Sequence, residues 1–131
     1  MSTKYHSFSG TVEFVGTKKL DRYGNWSLRF KLDDPEKYKK TGIQVTVDDE
    51  NCVWLKRPSK KLIKDELVSF DPPLITDEEG NQITGTVGKG SKGFAMVRSY
   101  DTQKGTGHTW DGLKISELVE APDQEIWGYY S

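Results

Sequence analysis

Cysteine, histidine, long apolar runs and helical periodicity are all scarce in this 131-residue chain, and each shortage excludes something. One cysteine, Cys52, leaves no intramolecular disulfide and no multi-cysteine zinc site. Two histidines, His6 and His108, are too few for a histidine-rich metal centre. No apolar stretch approaches the roughly 20 residues of a membrane helix, and the start Met1-Ser2-Thr3-Lys4-Tyr5 lacks a signal peptide's apolar segment. The expectation is a soluble, cytoplasmic protein with no membrane contact. What is present suits one folded domain: 34% hydrophobic residues with 30% charged is not the composition of a disordered chain.

The formal net charge of -1 hides a split. Residues 1–64 hold fourteen Lys/Arg against eight Asp/Glu, and residues 65–131 hold five against twelve. A basic working surface with an acidic ending fits this asymmetry. From Glu117 to Ser131 the acids Glu117, Glu120, Asp123 and Glu125 occur with no Lys or Arg.

Alternation with period two runs through most of the chain. From Tyr5 to Phe14 one side carries His6, Phe8, Gly10, Val12 and Phe14. Leu28, Phe30 and Leu32 alternate with Ser27, Arg29 and Lys31, the clearest half-buried strand. Asp34 is a candidate N-cap for one helical turn over Pro35–Lys40, with Gly42 ending it. Ile43, Val45 and Val47 alternate again, followed by the acidic turn Asp48–Asn51, a strand from Cys52 to Leu55 and a basic loop over Lys56–Lys61. Leu67–Phe70 reads as a short strand, and Leu74–Thr76 with Gln82–Thr84 as a hairpin about Asp77–Asn81. Phe94–Tyr100 and Thr109–Val119 are two final strands around the loop Thr102–Gly107. Short strands at regular spacing between Gly- and Pro-rich turns predict an all-β barrel or sandwich.

Little here supports catalysis. Cys52 at a strand start reads as a buried spectator rather than half of a Cys–His pair. The acidic runs Asp48-Asp49-Glu50 and Asp77-Glu78-Glu79 lie in turns, where adjacent side chains diverge, and they read as solvated turn rather than cation ligands. Val87-Gly88-Lys89-Gly90-Ser91 lacks the spacing of a phosphate-binding loop. No enzyme activity, cofactor or metal is expected. Binding has better support. The strand Phe94–Tyr100 carries Phe94, Met96, Arg98 and Tyr100 on one side and Ala95, Val97 and Ser99 on the other. Pattern alone leaves open which side meets the core. With the small residues inward, Phe94, Arg98 and Tyr100 form an exposed ladder of rings and guanidinium, suited to stacking bases and neutralising phosphates. Trp26 and Trp54 stand close to Arg29 with Lys31 and to Lys56 with Arg57, an interleaving that fits a groove for bases.

The run Ile83-Thr84-Gly85-Thr86-Val87-Gly88-Lys89-Gly90-Ser91-Lys92, the strand ending in Tyr100, the glycine-bearing loop and Leu113–Glu120 resemble phage OB-fold single-stranded DNA-binding proteins. Tyr23-Gly24-Asn25 followed by Leu28–Leu32 is similar to that family's early strand. The resemblance implies a five-stranded OB-fold-like barrel with extra hairpins and at most one short helix. It also implies Ala95, Val97 and Ser99 inward, with Phe94, Arg98 and Tyr100 facing DNA. The full set expected at the DNA is Tyr23, Trp26, Arg29, Lys31, Trp54, Lys56, Arg57, Lys89, Lys92, Phe94, Arg98, Tyr100 and Lys104. The function implied is sequence-independent binding of single-stranded DNA in phage replication or recombination. The domain would span 1–121, with an acidic-aromatic tail over 122–131 that reaches replication or recombination proteins in such a family, although this ending is short and only mildly acidic. A homodimer is a further expectation. The alternative is a β-sandwich carbohydrate- or protein-binding module using the same rings, and a third reading is a small nuclease using the acidic turns.

Overall fold

Two alternating segments that share one apolar side have to bury it together, and β1 (Thr3–Gly16) and β2 (Asn25–Leu32) do so as an antiparallel pair. The computed structural model describes residues 3–17, 20–84 and 87–119, so the tail expected over 122–131 lies outside the described residues. After β2 come α1 (Pro35–Lys39), β3 (Cys52–Pro58), β4 (Lys60–Ile63), β5 (Glu66–Ser69), β6 (Leu74–Asp77), β7 (Lys92–Thr102) and β8 (Gly105–Glu117). The main sheet runs β3-β2-β1-β7-β8-β6, antiparallel except for the parallel β6–β8 pair, and β4–β5 form a separate hairpin.

β1 serves two partners, Thr3–Thr11 against β7 and Gly10–Gly16 against β2. The strand turns its corner at Gly10, where any Cβ would collide with the Lys31 carbonyl and the Phe30 ring. The sheet closes on itself where its end strand β3 touches β8, and the seam is closed by side chains. The Lys56 amide donates to His108 Nε2 at 3.1 Å, and Arg57 reaches the Trp110 carbonyl at 3.5 Å and Asp111 at 3.2 Å. Strands β1, β2, β3, β7 and β8 thus make a partly open five-stranded barrel of the OB type, with a hairpin and an extra strand inserted before β7. One core fills it: Phe8, Val12, Leu28, Phe30, Val53, Leu55, Ala95, Val97, Trp110, Leu113 and Ile115 are all buried. Trp110 satisfies its indole by donating Nε1–H to the Gly112 carbonyl at 2.9 Å.

The helix caps one end of the barrel. Asp34 accepts from the Lys37 amide, Pro35 opens the first turn and Gly42 follows with φ +76°. Tyr38 drops into the core edge-on to Phe8, with ring centroids 5.3 Å apart, and donates its hydroxyl to the Val45 carbonyl at 2.8 Å. Burial raises the pKa of that phenol.

Four segments depart from the sequence expectation. Phe14 is exposed rather than inward, because a bulge between Val12 and Phe14 resets the alternation. Residues Ile43–Val47 form no strand; Ile43 makes a single parallel bridge to Thr106, while Val45 and Val47 pack against the core's edge. The expected basic loop Lys56–Lys61 is strand on both sides of Ser59. The final loop shrinks to Gln103-Lys104 because β7 and β8 extend to meet it.

Candidate nucleic-acid interface

The outward side of β2 and β3 carries the residues that the alternation leaves out of the core. On β2, Leu28, Phe30 and Leu32 point inward, so Arg29 and Lys31 point outward. On β3, Val53 and Leu55 point inward, so Trp54 and Lys56 point outward. Arg29 sits opposite Trp54 in the ladder, and Phe14 sits opposite Arg29. The bulge in β1 therefore places Phe14 beside Trp54, with centroids 5.8 Å apart and planes tilted by 56°. Lys56 Nζ lies 5.2 Å from the Trp54 ring centre. Trp54 is 41% exposed and Phe14 49%, which leaves a solvent-facing aromatic platform with the Lys56 ammonium over its indole. The sequence pattern missed Phe14; only the bulge reveals it.

Carboxylates hold several of these cations. Arg29 meets Asp48 at 2.8 Å and Glu50 at 3.4 Å, and Lys56 meets Asp21 at 2.9 Å. The acidic turn is thereby explained. Asp48 Oδ1 accepts from the Glu50 and Cys52 amides, and these bonds, the Cys52 one foremost, hold its carboxyl below the usual range together with Arg29. Partial burial works to raise Asp21, but hydrogen bonds from the Asn25 and Tyr23 amides and from Lys56 outweigh it and keep it low. Asp77 caps its own turn in the same way, accepting from the Glu79 and Asn81 amides. Among the described residues no group of three or more His, Cys, Asp or Glu is placed to hold a metal ion. Cys52 is buried, and burial pushes its thiol up, away from nucleophilic chemistry.

The remaining expected residues fall into separate places. Tyr23 is exposed in the β1–β2 loop with the Arg22 guanidinium 4.8 Å from its ring centre, and Lys104 is exposed in the β7–β8 turn. Trp26 lies on the inward side of β2, half-buried against the core, because it shares the parity of Leu28 and Phe30. Arg57 is almost covered, its guanidinium locked between the Asp71 carbonyl and Asp111. Lys89 pairs with Glu13 at 3.3 Å, and Lys92 is exposed at the start of β7. The β7 register places Ala95, Val97 and Ser99 inside and Phe94, Met96, Arg98 and Tyr100 outside. These outward residues do not form one platform. Phe94 lies by α1, in a hollow of about 220 Å³ shared with Ser7, Ser9 and Lys37. Arg98 is drawn to Asp111 at 2.9 Å, and Tyr100 lies under the β4–β5 hairpin.

A barrel of this kind takes oligonucleotides or oligosaccharides on the face of its second and third strands and on the loops beside it. The Trp54 platform lies on the outward side of those strands. No family model matches the chain, and no curated protein matches it in sequence. Among solved structures it is similar to the crystal structure of gp2.5, a single-stranded DNA-binding protein encoded by bacteriophage T7. The TM-score is 0.57 over 99% of this chain and 96% of that chain, at 15% sequence identity. A likeness at that identity establishes the shared all-β fold.

Proposed function

We propose that this chain binds single-stranded DNA, without sequence preference, across the outward face of β2 and β3. The observation that carries the reading is the Trp54–Phe14 platform with Lys56 over the Trp54 ring and Arg29 beside it in the ladder, on the face where OB barrels take oligonucleotides. Stacking supplies about 1–3 kcal/mol per base and accepts any base, since every base has a flat face. Tyr23 and Lys104 extend the face at its two loops. The similarity of fold to a phage single-stranded DNA-binding protein supports the same reading. A role protecting strands in phage replication or recombination, in the host cytoplasm and with replication or recombination proteins as partners, is the finer form of the proposal.

One observation favours a second reading. Because Arg29 and Lys56 already have carboxylate partners, the face is less positive than its lysines and arginines suggest, and an uncharged oligosaccharide would also stack there. Salt separates the two. Arg22, Lys31 and Lys104 have no carboxylate within 4.0 Å among the described residues. Three phosphate contacts on a single strand give a log–log salt slope of about -2, or roughly a 20-fold loss between about 50 and 200 mM salt. Titration with oligo-dT at these two salt concentrations should show that loss. No binding at the lower concentration, or binding indifferent to salt, overturns the DNA reading.

A further inference from the structure

We propose that the groove between β7 and the β4–β5 hairpin is a second nucleotide subsite, with a base stacked on Tyr100 and its phosphate held by Lys61, so that a strand bound at Trp54 continues around the barrel. The inference rests on the proposed function and extends its site. Tyr100 points outward from β7 opposite Gly107 of β8. A Cβ on Gly107 would lie 2.6 Å from the ring, so only glycine lets the tyrosine lie flat against the strand, where its hydroxyl donates to the His108 carbonyl at 3.4 Å. One face of the ring is thus supported by backbone, and Lys61 Nζ lies over the ring, 5.3 Å from its centre, so this exposed lysine swings aside to the phosphate when a base stacks.

The walls come from the β4–β5 hairpin and the residues that flank it. Ser59 and Phe70 bracket the hairpin: the Phe70 amide donates to the Ser59 carbonyl at 2.8 Å, and the Ser59 amide to the Gly24 carbonyl at 3.0 Å. The Arg57 guanidinium, fixed to the Asp71 carbonyl at 2.7 Å, lies 5.9 Å from the Phe70 ring centre. Pro58, Ile63 and Phe70 then face Tyr100 across a groove of about 130 Å³. That is well below the roughly 300–1,000 Å³ of a pocket that encloses a metabolite. It suits one flat ring held against a wall, with the rest of the ligand outside. Lys61 is exposed and meets no carboxylate among the described residues, so its charge is not neutralised.

Continuity with the Trp54 face follows from the topology. β3 touches β8 across the His108 side chain, and β8 pairs with β7, so a single strand separates the strand of Trp54 from the strand of Tyr100 around the barrel. The outward residues of β8 between them include Gly107, which presents no side chain as an obstacle.

The test is the affinity of the full chain for oligo-dT of increasing length, from about 4 to about 16 nucleotides, the range of site sizes for one OB fold. Wild-type protein should gain affinity in a step at the length that first reaches both platforms. Tyr100→Ala should reduce that gain about tenfold, and Tyr100→Phe should keep it. Lys61→Ala, at an exposed position that bears no fold, should reduce the gain less and flatten the salt dependence of the long oligonucleotides by about 0.7 in log–log slope. A gain that survives both Tyr100→Ala and Lys61→Ala overturns the subsite and leaves the Trp54 face standing. Equal weakening of short and long oligonucleotides by Tyr100→Ala, with a lowered melting temperature, also overturns it, because the ring is then structural. If wild-type protein binds no oligo-dT at any length, the proposed function fails and the subsite with it.

Discussion

Removing the Trp54 ring tests the placement of the site while leaving the core intact. Trp54 is 41% exposed, and the strand's hold on the core comes from its neighbours Val53 and Leu55, both buried. In the folded chain the indole touches Phe14, at 5.8 Å between centroids, and the Lys56 ammonium, at 5.2 Å. An aromatic pair adds about 0.5–1.5 kcal/mol beyond its buried area, and an exposed cation–π contact about 0.5–1 kcal/mol. Trp54→Ala should therefore cost about 1–2.5 kcal/mol of stability, which a chain of this size tolerates. Loss of one stacked base costs about 1–3 kcal/mol of binding, a drop of roughly 5- to 150-fold in affinity. Trp54→Phe, which keeps a flat ring, should retain most of the affinity. Fluorescence anisotropy of a labelled oligo-dT is the suitable assay, because Trp26, Trp110 and Trp127 would confuse the protein's own emission. A melting curve for each variant checks the fold. If Trp54→Ala binds oligo-dT as tightly as wild type while melting a few degrees lower, the ring serves the barrel and the placement of the site is wrong.

Two other outcomes are expected. Asp21→Asn keeps an oxygen for the Tyr23 and Asn25 amides but releases Lys56, so affinity for oligo-dT should rise at low salt and the slope steepen by about 0.7; an oligosaccharide-binding face would show no such change. Acid should loosen the barrel seam. Burial lowers the pKa of His108 from 6.5, and its neutral ring accepts the Lys56 amide at Nε2. On unfolding, the ring regains the ordinary value, so the unfolded state takes up more protons below about 6.5. The stabilisation is complete above that pH and is lost as pH falls toward the folded value. His6 is lowered by burial and by Lys4 and Lys37, and acts in the same direction. The carboxylates Asp21 and Asp48, already held below 3.8, act only in stronger acid. Melting temperature should fall between pH 7 and pH 5, and fall less in His108→Gln; an equal fall in both would remove His108 from the account.

Where burial follows alternation, the sequence was readable. Leu28, Phe30 and Leu32 reach 0%, 0% and 4% exposure as their spacing predicts, and Asp34 caps the short helix. The β7 register could not be read from pattern alone, because both of its sides are half apolar; the family resemblance implied the small residues inward, and the structure places them there. Phe14 was missed because a bulge inserts one residue and inverts the parity after Val12. The β4–β5 hairpin was half missed for a different reason. Every one of its strand residues is exposed, so it has no buried side to leave a period in the sequence, and its turn rests on the positive φ of Lys64 and Asp65. Free and neutralised cations also look alike in a sequence. Arg29, Lys56, Arg57 and Arg98 find their carboxylates 19, 35, 54 and 13 residues away, through strand register that no local pattern encodes.

The central claim is that a flat-ringed face of this barrel takes unpaired bases. Competition tests it most directly: labelled oligo-dT bound to the full chain is challenged with unlabelled oligo-dT or with duplex at equal nucleotide concentration. A duplex hides the faces that Trp54 and Phe14 would stack on, while it offers phosphates at higher density. Unlabelled oligo-dT should displace the label, and duplex should leave most of it bound. Equal displacement by duplex would contradict it, because the chain would then be reading phosphate charge and the aromatic platform would have no part in binding.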